Sequence, residues 1–493
     1  MRFSISNLLK EYIGPIKLTK LNLIYLFIII TWMSLCLSIN TKPGEMYQIF
    51  DGLQKSINAL RFLIPLLMVT ISLLILVFLI FNKKINKTSI ILILFTLYFV
   101  SQILGLINTS SRDFTLENTY LVIFALGTLS VLILLDSYQS KKISCTIFTL
   151  TFSIFTFAYI FILLKTPEFF FLAIQDGSLY NLFNIHQDFF GQSSPRITGA
   201  TRIFGVFALI CLAFTFVKKN NNKINYLFYI LVILLSLFVW LGQSRGSLLC
   251  YYATLIFLIF FLNDLNFLKK IILIISIPLI SISLSNILLK YSTEVSEIYV
   301  EVTDKQNILI KEIKEKSKKI KEKEIEEKKF KNKKFKNKKS NLRVLEDKTT
   351  SGRFQIWSLS LKKYEKNKIF GYGPQADRYL LFNSEVEHLW STNSSNLLIY
   401  GFLSGGYVGL IFLILIYFYI FLMILKFSIV NKMYLLKYTV TKNNIFYVLS
   451  ITTTIFFLIR SLFENSYGLF SIDFLLMIVS LYILELNYRK KQT

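Results

Sequence analysis

Ser244-Arg245-Gly246 stands between two runs made almost wholly of apolar residues, so a guanidinium sits at the lip of what reads as a membrane-spanning segment. A charge there is tolerated where it snorkels, pairs, or meets an anionic ligand. Arginine suits the last task, because its planar fork stays charged and grips phosphate bidentately. The small flanking residues leave backbone N–H groups at the start of the next helix open to an anion. Taken alone, Arg245 reads either as an interface anchor or as an anion ligand. Three further stretches have the same character. SPRITGATRIFG, residues 194–205, sets Arg196 and Arg202 at the outer end of a span. TSGRFQIWSLSLKKYEKNKIFGYGP opens an amphipathic helix with Arg353 and Trp357 and closes in the turn Gly371-Tyr372-Gly373-Pro374, whose glycines permit unusual backbone angles. STNSSNLLIYGFLSGGYVGL, residues 391–410, enters a span through a polar cluster containing Ser395 and Asn396, followed by Gly405-Gly406.

The elements that must carry these residues are helices in a bilayer. The chain has 493 residues, 54% of them hydrophobic, and 47 phenylalanines, with a mean hydropathy of +0.56. That composition fits a multi-span membrane protein and not an ordinary soluble domain. About 20 apolar residues cross the hydrocarbon, and about twelve such stretches recur. They lie at roughly 22–39, 60–82, 88–107, 118–136, 142–164, 202–217, 224–241, 246–263, 270–289, 397–425, 443–462 and 467–486. The first follows a polar, basic segment and precedes no small-residue cleavage site, so it reads as an anchor. Short loops rich in lysine, from Lys83 and Lys84 to Lys426 and Lys432, fall on one side together with Arg489, Lys490 and Lys491. That side is the cytoplasm, with both termini, and the working face is the outer one. The expected fold is all-α, with helices 1–9 in residues 1–289, a long periplasmic loop at 290–396, and helices 10–12 in residues 397–493.

The formal net charge of +26 is divided between loop anchors and the long loop, and no zinc-finger, helix-turn-helix or RNA-binding signature accompanies it. Nucleic acid is therefore not an expected partner, whereas membrane lipids are. Within the loop, a Lys/Glu-rich insertion spans 305–348, and an amphipathic helix is expected at 353–366, with Phe354, Trp357, Leu359, Leu361 and Tyr364 as its apolar stripe. The insertion reads as a solvated tract or as a basic arm on anionic headgroups. The four cysteines, Cys36, Cys145, Cys211 and Cys250, lie in or beside spans without CxxC spacing and read as small buried hydrophobes, with no metal site.

Together the four stretches resemble the O-antigen ligase and polymerase group of lipid-linked glycan transferases. The resemblance rests on Arg196-Ile197-Thr198-Gly199, Ser244-Arg245-Gly246, Arg353 to Trp357 followed by Gly371 and Gly373, and Gly405-Gly406, in that order. It implies a GT-C-like bacterial inner-membrane glycosyltransferase that needs no cofactor or metal. The donor it implies is an undecaprenyl-diphosphate-linked glycan. The acceptor is another glycan for a polymerase and lipid A-core for a ligase, and a chain-length regulator is a further partner. Arg245 and Arg353 are then the catalytic cations, with Arg196, Arg202, Ser244, Gly246, Trp357, Gly371, Gly373, Ser395 and Asn396 around the diphosphate and glycan. One departure matters: Ser395-Asn396 occupies the place of the ligases' His-Asn pair. His388 is the expected replacement base, with Glu385 and Glu387 as rivals. The departure favours polymerase over ligase. A lipid-linked glycan flippase is the non-enzymatic alternative, although no internal repeat supports it.

Overall fold

The computed structural model describes residues 89–108, 197–216, 222–242, 244–262, 266–288, 353–362, 364, 369–374, 376–377, 394, 396–435, 445–464 and 472–490, with single positions at 70, 74, 77, 81 and 290. The spans expected at 22–39, 118–136 and 142–164, nearly all of 60–82, and the Lys/Glu insertion lie outside the described residues.

Within them every regular element is helical. Helix α1 is Ile90–Gly105, extended by a tight turn at Leu106–Asn108; α2 is Ile197–Thr215, α3 Asn222–Leu241 and α4 Arg245–Leu262. Helix α5 is Phe267–Leu288. Helix α6 is Arg353–Lys362, α7 Leu397–Leu435, α8 Ile445–Ser461 and α9 Ile472–Lys490. Ile90–Asn108, Phe267–Leu288 and Leu397–Lys426 are each long and apolar enough to cross a membrane, and shorter apolar helices accompany them. A helix is the form such runs take in lipid, because it satisfies its own backbone where no water can. The described part is thus an all-helical protein of membrane character.

Helix α2 packs on α3, α4 and α8, helix α8 on α4 and α9, and α1 on α7 and α9, while the short α6 rests on α7. The seam between α1 and α9 is aromatic, with Phe474 edge-on to Phe95 and Phe99 at ring-centre distances of 5.7 and 5.3 Å. Such edge-to-face pairs add directionality to apolar burial. Helix α5 leaves Phe267, Leu268, Ile272, Ile275, Leu279 and Ile287 exposed, a face suited to lipid.

The packing brings the C-terminal ends of α1, α3 and α8 together with the N-terminal ends of α2, α4, α7 and α9. Gly242 at the end of α3 lies against the Thr201 side chain of α2, and Arg202 of α2 reaches Asp473 of α9. The Asn396 amide, just before α7, donates to Leu462 O at the end of α8 over 3.0 Å. This end carries the candidate residues.

The opposite end is tied by one carboxylate. Glu485 of α9, 1% exposed, accepts from Ile90 N at 2.8 Å, from Ile91 N at 3.3 Å, from the Ser89 hydroxyl, and from Tyr419 OH of α7 at 3.2 Å. A carboxylate at a helix N-terminus satisfies donors that have no partner within the helix and complements the helix dipole. Glu485→Gln replaces an acceptor with a donor that faces other donors. The expected result is a loss of about 1–3 kcal/mol in stability, read from thermal unfolding in detergent.

Candidate active site

Ser244 opens α4: its carbonyl accepts Leu248 N at 2.9 Å, and its hydroxyl donates to the Ser247 hydroxyl at 3.1 Å. Ser at this position is favoured because its backbone leaves the helical region while its side chain bonds within the first turn. Arg245 is then the first helical residue and is partly exposed. Facing this end of α4 is the first residue of α6, because a Cβ built on Gly246 would lie 4.0 Å from Arg353 Nη2 and 3.8 Å from Phe463 Cβ. A second guanidinium therefore lies within van der Waals reach of the second residue of α4, at the helix N-terminus. Arg353 Nη2 also pairs with Glu464 Oε1 at 3.3 Å, with about a quarter of each side chain exposed. Water still reaches this pair at one side, which screens it and leaves Arg353 able to exchange partners.

The Arg202 guanidinium donates from Nη1 to Asp473 Oδ2 at 2.9 Å, and Arg460 donates to the same oxygen. Arg202 is 19% exposed, Arg460 4% and Asp473 1%. Neither Arg460 nor Asp473 was among the sequence-derived candidates, although both stand inside the predicted spans 443–462 and 467–486. A charge within a span is itself the signal that marks such residues.

Trp357 is anchored by its indole, which donates to Ser394 O at 2.8 Å. Ser394 in turn donates from its N–H and its hydroxyl to Asp377 Oδ2, both at 2.9 Å, and both residues are buried. Asn396 caps α7: its Oδ1 accepts Leu398 N at 2.9 Å and Ile399 N at 3.2 Å. Its role here is therefore to end one helix and to start another. The apolar stripe expected on α6 differs from the observed one. Ile356, Ser360 and Tyr364 are the buried positions, and Phe354 and Leu361 point outward. The physical reason is the i, i+4 spacing of the buried set, which stacks on one face, whereas the expected stripe wound around the helix. The regular helix also ends at Lys362, short of the expected residue 366.

Gly371 and Gly373 dock on a break in α7. Gly406 has φ +65° and ψ −155°, far from helical values, and interrupts the helical ladder around it. The carbonyls of Leu403 and Ser404 accept instead from Tyr372 N at 2.9 Å and Gly373 N at 3.0 Å. The end of α1 closes the other side, where the Asn108 amide donates to Phe370 O at 2.6 Å and to Gly371 O at 3.2 Å. A broken helix in apolar surroundings is stable only when its freed backbone groups are satisfied again, and the Gly-x-Gly turn does this. Beside it Tyr364 lies tilted against Phe402, with ring centres 4.1 Å apart, and edge-on to Tyr372 and Tyr407. Burial, with smaller contributions from Tyr407 and Tyr372, pushes the Tyr364 hydroxyl up to about 12. It stays protonated near neutrality and is no base there.

The structure thus gathers Arg202, Ser244, Arg245, Gly246, Arg353, Trp357, Gly371, Gly373 and Asn396 at one end of the bundle. Arg196, His388 and Ser395, with Glu385 and Glu387, lie outside the described residues, as do Cys36 and Cys145. Cys211 and Cys250 are buried free thiols.

Residues 230–414 match the family model described as O-antigen ligase. Helices α1, α2, α8 and α9 fall outside the matched segment. No curated protein and no solved structure matches the chain.

Proposed function

We propose, from the match of residues 230–414 to the O-antigen ligase family model, that the chain is an enzyme of glycan assembly, a polymerase-like membrane glycosyltransferase. It passes the reducing-end sugar of an undecaprenyl-diphosphate-linked oligosaccharide to a hydroxyl of a second glycan. The reaction takes place on the outer face of the bacterial inner membrane, with both termini cytoplasmic and residues 290–396 in the periplasm. No metal is required. The observation that carries this reading is the placement of the Arg353 guanidinium beside Gly246, the residue after Arg245 at the N-terminus of α4, with Arg202 at the same end of the bundle.

In the reaction the C1–O bond to the diphosphate breaks as the acceptor oxygen bonds to C1. The hydroxyl proton passes to a base, and the bond electrons pass to the leaving diphosphate. Charge grows on that diphosphate in the transition state, and cations already in position stabilise it without reorganising. Arg245 supplies a fork at the helix N-terminus, whose own dipole also favours an anion. Arg353 supplies the second fork by exchanging the partly exposed Glu464 carboxylate for phosphate oxygens. Trp357, held by its indole bond, offers a flat apolar face beside them, suited to a sugar ring. The base is His388 or a neighbouring carboxylate of the same loop.

The absence of a histidine at position 395 is the reason for preferring polymerase over ligase. The test is transfer in vesicles containing the purified protein and a lipid-linked oligosaccharide, with lipid A-core supplied or withheld. A ladder of lengthening lipid-linked glycans without lipid A-core is the expected result. Product formed only with lipid A-core would make the protein a ligase, and flipping of the donor without transfer would end the enzyme reading.

A further inference from the structure

Asp473 sits in the first turn of α9, where the helix dipole favours a carboxylate, and it joins two guanidiniums from different helices. Both converge on Oδ2, while Oδ1 is enclosed without a hydrogen-bond partner among the described residues, and so is Arg202 Nε. An ion pair serving packing alone is best made fork to fork, with both carboxylate oxygens engaged. Buried pairs also give little net stability compared with apolar residues of similar volume. The three side chains are instead graded in exposure, from Arg460 at 4% and Asp473 at 1% to Arg202 at 19%. The buried Arg460 holds the carboxylate, and the carboxylate orients the one guanidinium that reaches accessible space. Arg460 and Glu464 leave the same end of α8, and Glu464 bonds Arg353, so the triad and the cations at the start of α4 flank one helix end.

We infer that Asp473, clamped by Arg460, is a positioning residue that aims Arg202 at the diphosphate of the lipid-linked donor. Helices α8 and α9, outside the family-matched segment, then complete the cation site. The inference rests on the functional reading above.

The experiment measures donor and acceptor dependence of glycan transfer by the full-length protein in vesicles. Asp473→Asn is expected to lower kcat/KM for the donor about tenfold or more, the effect of losing one charge-assisted hydrogen bond, and to leave the acceptor KM unchanged. Asp473→Glu should restore most of the loss. Asp473→Asn combined with Arg202→Gln should be no worse than Arg202→Gln alone, since both remove one aimed group. If Asp473→Asn does not fold, Arg460→Leu with Asp473→Leu removes the buried charges together and should fold while showing the same donor-specific loss. A folded variant with normal donor kcat/KM, or additive losses in the combination with Arg202→Gln, would overturn the inference. Arg245→Lys and Arg353→Lys separate it from the functional reading. If they keep full transfer, the arginine clamp of that reading fails; if they lose transfer while Asp473 variants stay normal, only the present inference fails.

Discussion

Gly406→Ala should leave little folded protein in the membrane. With φ +65° and ψ −155°, Gly406 occupies backbone space that is essentially closed to residues with a Cβ. A Cβ there would also overlap the Ile369 carbonyl oxygen and lie 2.6 Å from Gly371 N. Neither obstacle is the flexible tip of a side chain, so the Gly-x-Gly turn would have to leave the break in α7. Its departure strands the Leu403 and Ser404 carbonyls, and buried acceptors without partners cost about 1–3 kcal/mol each. Gly371→Ala should fail in the same way, because its Cβ would fall 2.5 Å from the Ser404 carbonyl carbon and 2.6 Å from its oxygen. Either substitution is expected to destabilise by more than about 3 kcal/mol. Detergent-solubilised protein, assayed by size-exclusion profile and thermal unfolding, checks this. A monodisperse Gly406→Ala variant melting near the wild type would show that the break in α7 does not need its glycine.

Arg245→Lys is expected to leave the fold intact and to reduce glycan transfer by at least about a hundredfold, the scale of removing one preorganised electrostatic contact. Arg245 lies at the surface end of α4, and lysine keeps its charge and helix propensity, so stability should change little. Lysine does not keep the planar pair of donors that can bind two oxygens of one diphosphate. Arg353→Lys should behave similarly, because the approach of its guanidinium to Gly246 is part of the same geometry. Transfer rates in vesicles at saturating donor provide the measurement. Normal rates in both variants would remove the diphosphate clamp from the mechanism.

Much of the fold was legible because apolar run length is a one-dimensional property. The predicted spans at 88–107, 224–241, 246–263 and 270–289 correspond closely to α1, α3, α4 and α5. Ser244-Arg245-Gly246 was legible for the same reason, since its charge interrupts such a run where the next helix starts. The buried face of α6 was not legible, because ten residues with apolar and polar side chains interleaved allow several stripes, and only the docking on α7 selects Ile356, Ser360 and Tyr364.

What the sequence determined by itself was the membrane character and the positions of the described apolar helices, both of which follow from local hydropathy. What the tertiary structure decided was the partnership of each charge and turn. Asp473 and Arg460 are 13 positions apart, yet they meet Arg202 from 271 positions away. The Gly-x-Gly turn closes a broken helix, and Asn396 caps α7 while holding the end of α8. Such pairings depend on which helix ends share one face of the bundle, and no local pattern of residues encodes that distance.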